Sequence, residues 1–127
     1  MKYIFTTVIL ALLAQPALAK TVYYCTTLRA VTMDGNGGIE HPLERFKMMV
    51  DNQQLHLIGG SLFPKGLHFN LEIAKNGVLH ARWDGHLEDG TTITMGMAHF
   101  QTRSRILTST ITDTFQVSSI FAECDKF

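Results

Sequence analysis

From residue 20 onward, hydrophobic and polar residues alternate with a period of two. The alternation is clearest in Phe46-Lys47-Met48, Leu55-His56-Leu57 and Leu67-His68-Phe69-Asn70-Leu71. A period of two is the signature of strands with one face buried. Turn-forming residues interrupt it at short intervals: Asp34-Gly35-Asn36-Gly37-Gly38, Asp51-Asn52, Gly59-Gly60, Asn76-Gly77 and Asp89-Gly90. The pattern predicts strands near 22–32, 45–50, 53–58, 67–73, 78–86, 92–100, 105–112 and 115–124. Short strands at this spacing form an antiparallel all-β meander of seven or eight strands, closed as a small barrel or stacked as a sandwich. Only 41–45 carries a helical signal, with Pro42 suited to a first helical position.

Register follows from pattern and turn together, because a slip of one residue turns every side chain to the other face. Asn76-Gly77 as a two-residue turn would set Ile73 opposite His80. A three-residue loop, Lys75-Asn76-Gly77, instead pairs Ile73 with Leu79, Leu71 with Ala81 and Phe69 with Trp83. The polar face then pairs Glu72 with His80, Asn70 with Arg82 and His68 with Asp84. By the same reasoning the Asp89-Gly90-Thr91 loop pairs Leu87 with Ile93, Gly85 with Met95 and Trp83 with Met97. Asp51-Asn52 pairs Met48 with Leu55 and Phe46 with Leu57. The expected core is Phe46, Met48, Leu55, Leu57, Leu67, Phe69, Leu71, Ile73, Leu79, Ala81, Trp83, Met95 and Met97.

Composition narrows the setting. The chain has 127 residues, 46% of them hydrophobic, with 11 basic and 11 acidic side chains. This is the size of one domain, and too apolar for a disordered chain. Balanced charge gives no electrostatic hold on nucleic acid. Residues 1–19 read as a secretory signal peptide. Lys2 forms the n-region, 4–13 is apolar apart from Thr6 and Thr7, and Ala17-Leu18-Ala19 is an A-x-A cleavage signal. Gln15 and Pro16 end that run short of a membrane span, and no other stretch is long enough for one. Removing 19 residues leaves a single β domain of 108, residues 20–127, carrying 10 basic and 11 acidic groups. The expectation is a periplasmic or secreted protein.

Export gives the cysteines their meaning. Cys25 and Cys124 stand near the two ends of the mature chain, with no C-x-x-C and no nearby histidine to make them redox or metal ligands. In an oxidising compartment such a pair forms a disulfide.

Two groups of side chains carry candidate metal chemistry. Met95-x-Met97-x-His99 places two thioethers and an imidazole on one strand face, a donor set suited to Cu(I) or Ag(I). Trp83 beside Met97 would supply a cation–π cap. The competing reading is that flexible methionines fill an irregular core. His56, His68 and His80 form a row on the face opposite the core, where imidazoles could bind Zn²⁺ or Cu²⁺ with Glu72 or Asp84, or simply be surface polar residues. No other cofactor is implied. Catalytic motifs are lacking: no serine lies in G-x-S-x-G, and there is no H-E-x-x-H and no phosphate loop. Arg103 and Arg105 make a small basic spot assigned to a solvated loop or edge.

Tyr23-Tyr24-Cys25, Phe46-x-Met48-x-Val50-Asp51 and the closing Cys124-x-x-Phe127 resemble small exported proteobacterial proteins of uncharacterised function. That resemblance lends no site residues. It implies only that a disulfide ties the first strand to the last.

The sequence therefore points to a non-enzymatic binding or interaction module of the cell envelope, whose partner is an envelope protein or a small ligand. The binding surface would be a sheet face, a barrel mouth or the 59–66 loop. The alternative is a periplasmic Cu(I)/Ag(I)-binding protein using Met95, Met97 and His99. A second is an inhibitor of an envelope-directed hydrolase, although the Ser/Tyr loop of envelope lysozyme inhibitors has no counterpart here.

Overall fold

The computed structural model describes residues 20–86, 93–113 and 115–126. The expected signal peptide and the Asp89-Gly90-Thr91 loop lie outside the described residues. Nine strands follow one another: β1 (Thr21–Asp34), β2 (Gly37–Glu40), β3 (Arg45–Val50), β4 (Gln54–Gly59), β5 (Phe63–Lys75), β6 (Val78–His86), β7 (Ile93–Gln101), β8 (Ile106–Thr112) and β9 (Gln116–Lys126). All pair antiparallel, and β9 returns to pair with β1. The result is a closed eight-stranded barrel, β1 and β3 to β9, with β2 as an extra strand beside the upper half of β1. Closure removes the free edges that an open meander would leave.

The disulfide joins Cys25 to Cys124, 99 residues apart in sequence. The two cysteines are direct partners in the β1–β9 ladder, so the bond staples the seam that closes the barrel. In the chain-entropy view a loop of that size is worth about 4–5 kcal/mol.

An eight-stranded barrel is just wide enough for side chains to fill it. Met48, Leu55, Leu57, Phe69, Phe100 and Leu107 are fully buried and do so, with Ala81, Ala98 and Ala122 between them. Tyr23 meets Phe100 edge-on at 4.9 Å, and Phe46 meets Phe63 in the same way at 5.2 Å.

The 41–45 segment is extended, without a helical turn. It runs between β2 and β3 along the edge of β1 away from β9, while the bulge between Thr27 and Arg29 lies in the β1–β9 ladder. His41 N donates to the Ala30 carbonyl, and Thr27 N donates to the Glu44 carbonyl. The buried Thr27 hydroxyl is satisfied there by the Glu44 backbone. Backbone partners so placed favour strand-like geometry over a helix.

Three registers differ from expectation. Asn76-Gly77 is a two-residue turn with φ of 55° and 76°, positive at both central positions as a type I′ turn requires, so Lys75 pairs with Val78. Ile73 does lie opposite His80, and a bulge between Leu71 and Ile73 restores the expected Leu71–Ala81 and Asn70–Arg82 pairs. Ile73 is consequently 53% exposed. Second, Met48 pairs with Leu57 and Val50 with Leu55 around a longer turn. Asp51 Oδ1 accepts from the backbone N–H of Gln53 and Gln54 in that turn. A slip of two keeps the faces.

The third difference is a slip of one and changes them. Trp83 pairs with Gly96, and Arg82 with Met97. Gly96, Ala98 and Phe100 therefore face the core, while Met95 and Met97 face outward at 39% and 47% exposure. The cause is volume. A methyl group at Gly96 would lie 2.9 Å from Phe69 Cε1 and 3.4 Å from Trp83 Cε3. Two aromatic rings already fill the space a side chain would need.

Finally, β5 begins at Phe63, so the expected 59–66 loop shrinks to the turn at 60–62. A register shift between Leu57 and Gly59 absorbs the difference.

Candidate functional site

At one end of the barrel β1 outruns β3, and the interior opens. The cavity there has a volume of about 220 Å³. Leu62, Phe63, Ile111 and Ile120 supply apolar lining, and Thr32, His41, Ser61 and Ser118 supply polar groups. The four polar groups come from different parts of the fold. Thr32 and Ser118 are direct partners in the β1–β9 ladder. His41 is brought in by the segment that joins β2 to β3 along β1.

Thr32 Oγ1 lies 2.6 Å from His41 Nε2 and 2.9 Å from Ser118 Oγ. A hydroxyl has one proton to give and two lone pairs, so the chain has one polarity at a time. With neutral His41 accepting at Nε2, Thr32 donates to it and accepts from Ser118. With the other tautomer, His41 donates to Thr32, Thr32 donates to Ser118, and the Ser118 proton is left for a ligand. The rim thus offers a donor or an acceptor.

Glu44 fixes the turn beside this opening. Its Oε2 accepts from Ser61 N at 2.7 Å and its Oε1 from Ser61 Oγ at 2.5 Å. These bonds, the side-chain one first, hold its carboxyl below the ordinary carboxylate range, and the charge of His41 adds to the effect. Gly60 is needed for this clamp. Its φ is +63°, and a side chain there would come within 2.6 Å of Glu44 Oε2. Gly60 and Ser61 fall in the 59–66 segment expected to bind, but Thr32, His41 and Ser118 did not stand out in the sequence, because single Thr, His and Ser residues from distant parts of the chain leave no motif.

The histidine row does not converge. His56 and His68 are ladder partners and stack, with ring centroids 3.8 Å apart and planes 14° apart. Parallel stacking points their nitrogens side by side rather than at a common ion. His56 Nε2 is buried without a hydrogen-bond partner and faces Gly66, where a Cβ would lie 2.5 Å away. Burial, then the charges of His68 and Lys20, lower the His56 pKa. His80 belongs to a different pair: it is the ladder partner of His99, with ring centroids 6.1 Å apart and edge-on. Glu72 Oε2 lies 3.9 Å from His80 Nε2, so the expected Glu72–His80 proximity holds across the bulge. Among the described residues, no group of three or more His, Cys, Asp or Glu is placed to hold a metal ion.

Met95, Met97 and His99 do share one face of β7, and that face is the outer one. Trp83 lies on the inner face, so it cannot cap an ion held by Met97. Arg105 is in the β7–β8 turn with φ +61°, and its guanidinium pairs with Glu123 and Asp125. Half of the expected basic spot is thus neutralised.

A second depression lies outside the barrel, lined by Tyr24, Arg45, Phe46, Lys47, Ile58 and Gly59, with the Lys47 ammonium 5.7 Å from the Tyr24 ring centre. At about 360 Å³ it is larger than the opening at the barrel end but more open to solvent, and its polar side chains, Tyr24, Arg45 and Lys47, lie on the outer wall. No described helix is long and apolar enough to cross a membrane. Comparisons with protein-family models, with curated proteins and with solved structures find no match to this chain.

Proposed function

We propose that the protein is an exported, non-enzymatic binding module that takes a small ligand at the open end of its barrel. One observation carries this reading: a 220 Å³ cavity with an apolar lining and the hydrogen-bonded Thr32–His41–Ser118 chain at its rim. Binding sites of this kind are concave and mostly apolar, with a few polar groups that fix orientation. The volume falls below the roughly 300–1,000 Å³ of drug-sized sites, so the ligand is a compact molecule. Its apolar body packs on Phe63, Ile111 and Ile120, and one hydroxyl or amide meets Ser118. Binding is favoured over turnover because the nearby carboxylate, Glu44, spends its oxygens on Ser61 and is not holding the His41 ring for proton transfer. A seam disulfide suits an oxidising compartment outside the cytoplasm.

The test is an NMR screen of small aromatic alcohols and amides at millimolar concentration. Hits are expected to shift the amides of Thr32, His41, Ile111, Ser118 and Ile120 together. Ser118→Phe, which fills the opening, should abolish those shifts while the rest of the spectrum stays native-like. Hits that map only to the outer face, or that survive Ser118→Phe, refute the proposal.

A further inference from the structure

The register of β6 and β7 brings together side chains that the sequence places on separate strands. His80 and His99 are direct ladder partners on the outer face, with rings edge-on at 6.1 Å rather than stacked. Met97 follows two residues along the same face, 47% exposed. Two residues along a strand span about 6.8 Å, and a diagonal cross-strand neighbour lies at about 7–8 Å, within reach of long side chains. A methionine thioether can therefore reach the space between the two imidazoles. Met95 lies four residues from His99, about 13–14 Å away, and is too distant to share an ion with it.

From this arrangement we infer a site for one soft monovalent cation, Cu(I) or Ag(I), held by Met97 Sδ and one ring nitrogen each of His80 and His99. All three ligands are neutral, and thioether with imidazole selects a soft ion. Glu72 Oε2, 3.9 Å from His80 Nε2, places a negative charge beside these neutral ligands that attracts a cation. This site lies on the outer wall, separate from the opening at the barrel end, and stands or falls independently of it.

The experiment is a titration of the purified protein with Ag(I) as a redox-inert probe, followed by calorimetry and by the ¹³C shifts of the methionine methyls, with Zn(II) in parallel. The expected result is one equivalent of Ag(I), with the Met97 methyl moving most. Met97→Leu, His99→Asn and His80→Asn each weaken binding tenfold or more. Met95→Leu and His68→Asn change it less than threefold. Because Met97 is on the surface, Met97→Leu leaves the urea midpoint unchanged, so lost binding reads as a lost ligand. The proposal is overturned by any of four outcomes: no saturable binding, Met97→Leu binding as tightly as the parent, loss on His68→Asn instead of His99→Asn, or tighter binding of Zn(II) than of Ag(I).

Discussion

Replacing Gly96 with alanine tests the packing that turned β7 around. In a strand interior, glycine costs about 0.5–1 kcal/mol relative to alanine through backbone entropy. With no positive φ at this position, backbone geometry alone predicts that Gly96→Ala stabilises. Sterics oppose this. The new methyl would lie 2.9 Å from Phe69 Cε1 and 3.6 Å from Cζ, with Trp83 Cε3 at 3.4 Å. Phe69 is completely buried, so its ring cannot move aside into solvent. Overpacking a filled core costs about 1–3 kcal/mol. The steric term wins, and the net loss is about 1–2 kcal/mol. Urea denaturation followed by the fluorescence of Trp83, the only tryptophan, and by far-UV circular dichroism measures it directly. A double-mutant cycle with Phe69→Leu isolates the contact: the smaller side chain admits the methyl, so the two changes should couple by at least about 1 kcal/mol. A neutral or stabilised Gly96→Ala, or additivity within about 0.5 kcal/mol, would show that Phe69 does not fill this space.

Opening the seam by replacing both Cys25 and Cys124 with alanine should cost about 4–5 kcal/mol in urea denaturation; a loss under about 1 kcal/mol would mean that the ladder holds without the bond. Ser109 Oγ is buried without a partner, so Ser109→Ala should be neutral or raise stability by up to about 1 kcal/mol, and clear destabilisation would reveal a hydrogen bond there. His56 has a folded pKa below its ordinary 6.5, so the unfolded chain binds the proton more readily. Its contribution is complete above about pH 6.5 and is lost as pH falls toward the folded value. The melting temperature of the parent should therefore fall more steeply between pH 7 and pH 5 than that of His56→Gln, and parallel slopes would remove His56 as the cause.

The all-β class, the meander and the disulfide were legible because each rests on local signals: period two, turn residues, and a lone cysteine pair. Register was legible only where both faces could be judged. For β7 the pattern pointed the wrong way, since methionine is more hydrophobic than Gly96 or Ala98. Only the rings of Phe69 and Trp83, which come from other strands, make small residues the better inward choice. Ile73 misled for a related reason, because a bulge that absorbs one residue has no signature in alternation. The start of β5 was read four residues late because Pro64 and Gly66 imitate a loop. The opening at Thr32, His41 and Ser118 was invisible because residues from β1, β9 and the intervening connection meet only after closure. Conversely, the Met97–His99 stripe and His80 were both visible in the sequence, but His80 was assigned to a different row and its pairing with His99 was not foreseen.

The stapled seam has a consequence for how fast the barrel forms. From β3 to β9 every pairing joins neighbours in sequence, and such contacts form quickly. The pairing of β1 with β9 is the exception, bringing together residues about a hundred positions apart. A search over that distance is the slow part of reaching the closed state. In a chain that unfolds with its disulfide intact, that search is already over. Cys25 and Cys124 remain adjacent, and the most remote contact in the sequence becomes one of the nearest. Oxidised chains should therefore refold much faster than reduced ones, with the gain in the folding limb rather than the unfolding limb of the kinetics.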